Sequence, residues 1–389
     1  MLGAKGETRV RFFHLSDLHL GKRLHEQSLL EDQRAVLETI LTLAAHHRPD
    51  AVVLAGDIYD KPVPSAEAVT LFDSFLSRLA GLGLPVLLIS GNHDSAERLA
   101  FGARLLAESR VYVSPVYDGA LTPVALQDDY GPVDFWLLPF VKPTHVRAAF
   151  PEEPITDTDS ALRAAIAHLP LDPARRNVLV AHQFVTGSSR SESEEISVGG
   201  SDNVDAAAFA PFDYVALGHL HRPQNCGPRI RYSGSPLKYS FSEEKDEKSV
   251  TLVELDQDGK ATLTLLPLPL RRDLKTIRGT YRQLTLRSFY EGTDLPQSYL
   301  RVVLTDEEDI PDAAARLRVI YPGLLKLEYD NARTRAGFQI EDGGDVETKS
   351  PLELLEELYR LQHDRPLAGE QEALAKALIR QTWEEVDPA

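Results

Sequence analysis

The chain has one cysteine, Cys226, in 389 residues. That excludes an internal disulfide framework and suits a reducing compartment. Cys226 itself reads as a plain structural thiol. No run of about 20 apolar residues occurs, so no segment is expected to span a membrane. The opening stretch MLGAKGETRV has no apolar signal segment, and a cytoplasmic protein is expected. Positive charge is scarce. Lys and Arg number 42 against 59 Asp and Glu, a formal net charge of −17. This argues against a broad basic face gripping nucleic acid along its length, but not against a nucleic-acid enzyme whose charge is supplied by bound metal or a partner. The small basic cluster Arg271, Arg272, Lys275, Arg278 and Arg282 reads as a solvated face. No G-x-x-x-x-G-K-S/T loop is present, nor a G-x-G-x-x-G after a strand, so the chain is not expected to bind ATP by itself.

What is present is an ordinary globular composition, 43% hydrophobic and 26% charged, long enough for two or three domains. Strands alternate with helices through the first half. RVRFFHLS, DAVVLAGD, PVLLISGNHD, DFWLLPF, NVLVAHQF, DYVALGHLH and RIRYSGSP read as strands. Residues 31–47 read as a helix, with Val36, Leu37, Ile40, Leu41 and Ala44 on one stripe. Residues 65–80 read as a second, N-capped by Ser65. SVTLVELDQDGKATLTLLPL reads as a hairpin about DQDG. Together these predict a layered α/β domain over 1–270. Residues 275–340 predict a small α/β module: strand SYLRVVLTD, helix PDAAARLRVIYP with Pro311 near its first turn, and strand LLKLEYD. A polar linker, QIEDGGDVETKS, leads to a tail over 346–389. There Ser350-Pro351-Leu352-Glu353 reads as a capped helix start, with two helices broken around HDRPLAGE. Leu354, Leu355, Leu358 and Leu361 form one stripe. Leu374, Leu378, Ile379 and Trp383 supply the second helix. Such stripes pack on their own chain or dock a partner.

Five apolar strands end in metal-ligand types of residue. They deliver Asp17 and His19; Asp57 and Asp60; Asn92, His93 and Asp94; His182; and His219 and His221. Taken singly, each has an ordinary explanation: a surface pair, a turn former, a left-handed turn residue or a hydrogen-bonded core histidine. Together they would need the same coincidence at the same end of five strands, where open α/β sheets place their sites. Seven donors, Asp17, His19, Asp57, Asn92, His182, His219 and His221, exceed one tetrahedral zinc sphere and suit two ions sharing a carboxylate. Their mix of imidazole, carboxylate and amide oxygen favours Mn²⁺, Fe²⁺ or Zn²⁺ over Mg²⁺ or Ca²⁺.

SDLHLG, GDIYD, GNHDS, AHQF and GHLH resemble the five motifs of the calcineurin-like metallophosphoesterases, over residues 14–221. SESEEISVGGSDNVD, FDYVALGHLHRPQ and RYSGSPLKYSFSE narrow the resemblance to the SbcD-type DNA-repair nucleases. The resemblance implies a four-layer β-sandwich flanked by helices, a DNA-capping α/β module over 275–340, and C-terminal helices over 346–389 that dock an SbcC-type ATPase. It implies two divalent ions, Mn²⁺ first. Asp17, His19, Asp57 and His221 would hold one; Asp57, Asn92, His182 and His219 would hold the other, with Asp57 as the bridge. His93 would be the general acid and Asp60 the residue that orients it, while Asp94 shapes the loop. The implied activity is exonucleolytic and endonucleolytic cleavage of DNA, at double-strand ends and hairpins, by activated water. A homodimer within a nucleoid-associated heterotetramer, with no membrane, is implied as well. The alternative within the superfamily is a protein phosphatase or cyclic-nucleotide phosphodiesterase. Protein phosphatases of this fold carry Arg after the second acid, where this chain has Lys61. A non-catalytic scaffold would need lost ligands, and none is missing.

Overall fold

Runs such as AVVLA (Ala51–Ala55) and VLLI (Val86–Ile89) are apolar on both faces, and both strands are buried throughout. A strand of that kind must be covered on two sides. The computed structural model, which describes residues 9–194, 203–332, 334, 351–363 and 366–385, supplies both covers. One six-stranded sheet runs in the order Ala261–Pro267, Ser249–Leu255, Arg11–Leu15, Ala51–Ala55, Val86–Ile89, Val111–Val113. Its last four strands are parallel, and the hairpin joins antiparallel at Arg11–Leu15. A second six-stranded sheet runs Gln224–Asn225, Ile230–Tyr232, Tyr214–Gly218, Arg176–His182, Gly131–Leu137, Val124–Asp128.

Side chains alternate faces along each strand. Phe12, Val53, Leu87 and Ile89 point one way and meet Phe135, Val178, Val180 and Ala216 of the other sheet. Phe13, Leu15, Val52, Leu54 and Leu88 point the other way, onto helices Leu30–His47 and Ala66–Gly81 through Leu37, Ile40, Leu71 and Phe75. On the second sheet Trp136, Leu179 and Leu217 pack on Val146, Leu162 and Ile166 of helices Pro143–Ala149 and Thr158–Ala167. The result is helix, sheet, sheet, helix: the expected four layers. The Ser65 hydroxyl caps its helix as expected, accepting from the Ala68 N–H at 3.3 Å.

A third sheet, Leu274–Gly279, Tyr299–Leu304 and Leu324–Tyr329, is all parallel. With helix Ala313–Ile320 it encloses its own core of Ile277, Leu284, Leu300, Val302, Leu317 and Tyr321. It is tied to the main body by the Tyr299 hydroxyl donating to Asp32 Oδ2 (2.8 Å) and by Lys238 Nζ on Asp273 (2.7 Å). Pro311 lies outside the helix rather than in its first turn. Asp312, with φ of 55°, bends the chain before Ala313 begins it. Leu274–Gly279, which opens this sheet, is not among the strands that the sequence predicts. In the basic cluster, Arg272 meets Tyr299 Oη (2.7 Å), Lys275 meets Asp294, and Arg278 meets Asp330.

The tail is a second unit. Within it, helices Pro351–His363 and Gly369–Glu385 pack together, with Gln371 Nε2 donating to the Tyr359 hydroxyl at 3.3 Å. Leu355, Leu358, Leu374 and Leu378 are exposed. The expected linker over 339–350, the Ser350 cap and the side chains of Leu361 and Trp383 lie outside the described residues. Among the described residues, no helix is long and apolar enough to cross a membrane.

Candidate metal centre

The chain leaves the parallel strands of both large sheets at one shared edge. Arg11–Leu15 leads to Asp17 and His19, Ala51–Ala55 to Asp57 and Asp60, and Val86–Ile89 to Asn92 and His93. On the second sheet, Arg176–His182 ends in His182, and Tyr214–Gly218 leads to His219 and His221. The strand before Asp57 is paired on both sides, with Arg11–Leu15 and with Val86–Ile89. That sets this carboxylate in the middle of its row.

The loops hold sharp conformations. Asp17, His19, Asp57 and His219 all have positive φ, at 54°, 42°, 50° and 105°. Each such non-glycine residue costs about 1–3 kcal/mol, which the surrounding structure must offset. Asp17 N–H donates to the Gly56 carbonyl (3.0 Å) and His19 N–H to that of Asp57 (2.9 Å), so the pairing of the two strands continues into their loops. Gly56 has φ of 89°, and a Cβ there would stand 2.4 Å from His182 Nδ1. Asp94 accepts from the N–H groups of Ile58, Tyr59 and Gly91 at 3.0, 2.9 and 2.9 Å, closing the loop over Asp57.

All seven candidate ligands and His93 meet here. Ligand atoms of Asp17, His19 and His221 lie within 4.8 Å of one another, as do those of Asp17, Asp57 and His182 and those of His19, Asp57 and His93. His19 Nε2 and His221 Nε2 are 3.0 Å apart. Asp57 Oδ2 stands 3.3 Å from His182 Nε2 and 3.6 Å from His19 Nε2. Asn92 Oδ1 lies 2.9 Å from His182 Nε2 and 3.1 Å from His219 Nδ1. Asp17 accepts from the His219 N–H at 3.0 Å. Asp17, His19, Asp57, His182 and His221 are buried; Asn92, His93, His219 and Asp60 are half-buried.

These groups disturb one another strongly. Burial pushes the Asp17 carboxyl up to about 6, with His182 and His221 pulling against it. Burial also pushes His219 down to about 3, and the His182 charge adds to that. Burial would raise Asp57, but the imidazoles of His182 and His19 hold it well below the carboxylate range. The donor set fits cations. His182 Nδ1 donates to the Ala55 carbonyl at 2.8 Å, so in neutral His182 the Nε2 atom is a bare acceptor. Burial would lower His182, but the Asp57 charge pushes it up to about 9, so with no cation bound a proton sits on Nε2 between Asn92 Oδ1 and Asp57 Oδ2. His19 Nδ1 is buried without a hydrogen-bond partner. A cation beside His182 Nε2 would take the place of that proton and meet the same nitrogen and oxygen lone pairs.

Asp60 is present, but not through its carboxylate. His93 Nδ1 donates to the Asp60 main-chain carbonyl at 3.1 Å, while the Asp60 carboxylate pairs with Lys22 at 2.7 Å and lies 3.7 Å from His19 Nδ1. The Asp57 carboxylate also holds the His93 N–H, at 2.9 Å. Sequence reasoning missed Lys22, Ser193, Glu194, Glu243 and Lys248. The last four form a polar chain behind His221 in which Ser193 is half-buried and the other three are buried. Ser193, Glu194 and Glu243 stand in the Ser/Glu-rich runs SESEE and SFSEE, which look like solvated loops until their burial is known.

Residues 10–223 match the calcineurin-like phosphoesterase family. Residues 270–363 match a family described as the type 5 capsule protein repressor C-terminal domain. The chain is similar to the SbcD component of the SbcCD nuclease of Staphylococcus epidermidis, 30% identical over 378 residues that cover 95% of this chain and 98% of that one. It is 34% identical over 325 residues to the same component of the Staphylococcus saprophyticus nuclease, covering 82% and 84%. Among solved structures, a dimetal phosphatase from Danio rerio aligns with 68% of this chain and 98% of its own, at 12% identity and a TM-score of 0.41.

Proposed function

Because this chain belongs to the calcineurin-like phosphoesterases, and within them to the SbcD nucleases, we propose that it is a Mn²⁺-dependent DNA nuclease. It acts as an exonuclease on double-strand ends and as an endonuclease on single strands and hairpins, with water as nucleophile. The observation that carries this reading is the meeting of seven oxygen and nitrogen donors at one edge of two sheets.

Asp17, His19, Asp57 and His221 are assigned to one cation, and Asp57, Asn92, His182 and His219 to the other. Two such cations supply charge neutralisation for a phosphodiester and acidify water. His93 is the general acid. With its Nδ1 proton committed to the Asp60 carbonyl, an imidazolium carries its second proton on Nε2, available to the departing sugar oxygen. Asp60 is a positioning residue through that carbonyl. The ion pair with Lys22 holds its side chain still.

The same reading divides the chain into a nuclease domain (1–270), a DNA-capping module (275–340) and a segment docking an SbcC-type ATPase (346–389). The net charge of −17 leaves little to grip DNA, and three members of the basic cluster are engaged by protein groups. The ATPase partner and a second copy of this chain, as a homodimer within a heterotetramer on the nucleoid, supply that grip.

The test is cleavage of a hairpin-ended duplex with Mn²⁺ or Mg²⁺, comparing wild type with His93→Leu. The variant is expected to bind Mn²⁺ undiminished and to cut about 10²–10⁴-fold more slowly. Undiminished cutting would remove His93 from the mechanism. Wild type that hydrolyses phosphoproteins or cyclic nucleotides but no DNA would overturn the nuclease reading.

A further inference from the structure

Behind His221, on the side away from His19, runs a chain of polar groups with little access to water. The side chains of Glu243 and Lys248 have no exposed surface, and Oε2 stands 2.6 Å from Nζ. Lys248 Nζ also donates to the His221 carbonyl (2.8 Å) and the Ser235 hydroxyl (3.0 Å). Glu243 Oε1 accepts from the Ser193 hydroxyl (2.7 Å) and the Tyr239 N–H (3.2 Å). Ser193 Oγ lies 2.6 Å from His221 Nδ1, and Glu194 Oε1 accepts the His221 N–H at 2.7 Å. The stretch leading to Ser193 is held at two points. Ser189 N–H donates to Gln224 Oε1 (2.8 Å), and Glu192 N–H to Ser242 Oγ (2.9 Å).

The donors and acceptors can be assigned around this chain in one consistent direction. A carboxylate beside a buried ammonium can only accept. A serine hydroxyl has one proton, and here the strongest acceptor within reach is Glu243. Ser193 then has only lone pairs to offer His221 Nδ1, so His221 must bring the proton. Its Nε2, 3.0 Å from His19 Nε2, is left with the lone pair. A buried ion pair such as Glu243–Lys248 is a poor means of adding stability, because desolvation offsets much of the attraction. Its use lies in fixing which way the hydrogen bonds run.

We propose that Ser193 and Glu243 are positioning residues of the reaction: they keep the His221 proton on Nδ1 and so present Nε2 to a cation. This rests on the metal-dependent reading above and deepens it. His182 achieves the same state with the main-chain carbonyl of Ala55. His221 needs side chains to do it, because its own loop offers Nδ1 no carbonyl among the hydrogen bonds of the described residues.

The test is calorimetric titration of Mn²⁺ into chelator-stripped protein, together with thermal unfolding of the same cation-free samples. His221→Ala identifies the binding event in question. Ser193→Ala is expected to weaken that event about ten- to hundredfold with no change in cation-free Tm, and Ser193→Thr to restore it. Glu243→Gln presents an N–H toward Ser193, reverses the chain and weakens the same event. Should that variant fail to fold, the Ser193 pair decides alone. Wild-type affinity in Ser193→Ala would overturn the inference, and so would a loss that Thr does not restore or one matched by a fall in cation-free Tm. If wild type binds no Mn²⁺, the metal-dependent reading itself falls.

Discussion

A methyl group at position 91 is enough to test where the central carboxylate sits. An ideal Cβ on Gly91 would stand 2.1 Å from Asp57 Oδ1 and 2.4 Å from its N, so Gly91→Ala must displace Asp57. Misplacement on the scale of 1 Å costs about 10²-fold in rate. Gly91→Ala is expected to cut DNA at least that much more slowly and to lose Mn²⁺ affinity in calorimetry. Activity at the wild-type level would mean that Asp57 is not the shared ligand. The residues themselves were legible at this scale, because each donor follows an apolar strand and side-chain chemistry is written in the sequence. The part played by Asp60 was not. The group that holds His93 is a main-chain carbonyl, which every residue possesses, while the carboxylate that marks Asp60 in the sequence is turned to Lys22.

At the scale of single elements, helix Ala66–Gly81 offers a clean measurement. Ser65 satisfies one of its orphan N–H groups, and Ser65→Ala is expected to cost about 1 kcal/mol in urea unfolding with no change in Mn²⁺ affinity. An unaltered midpoint would show that the cap contributes nothing. This helix, helix Leu30–His47 and the DQDG hairpin were all legible, because long stripes and a turn flanked by alternating residues are strong local signals. Val111–Val113 is only three residues long. Val124–Asp128 is an edge strand that pairs on one side and buries little. Neither has enough local pattern to stand out. The start of helix Ala313–Ile320 moved past Pro311 because Asp312 adopts a left-handed turn, which no periodicity announces.

At the scale of the whole molecule, a site drawn from both large sheets couples ligand binding to folding. Cations that bind only the folded chain stabilise it by mass action, by about 2.7 kcal/mol at a concentration of 100 Kd for one site. Mn²⁺ is therefore expected to raise Tm in a concentration-dependent way, and a chelator to reverse the rise. His182→Ala should blunt the response. A Tm indifferent to Mn²⁺ would mean that no cation bridges the two sheets.

What the sequence determined by itself was the residue types and their local setting: apolar strands, the donors at their ends, and from these the layered α/β class and the chemistry of a metal centre. These are short-range facts, held in alternation, stripes and neighbouring letters. Only the tertiary structure decided which nitrogen of His93 and of His182 meets a backbone carbonyl, that the Asp60 carbonyl rather than its carboxylate faces His93, and that Glu243 and Lys248 lie buried behind His221. Those depend on contacts between segments as much as 202 positions apart, as for His19 and His221, and on burial that no single segment can express.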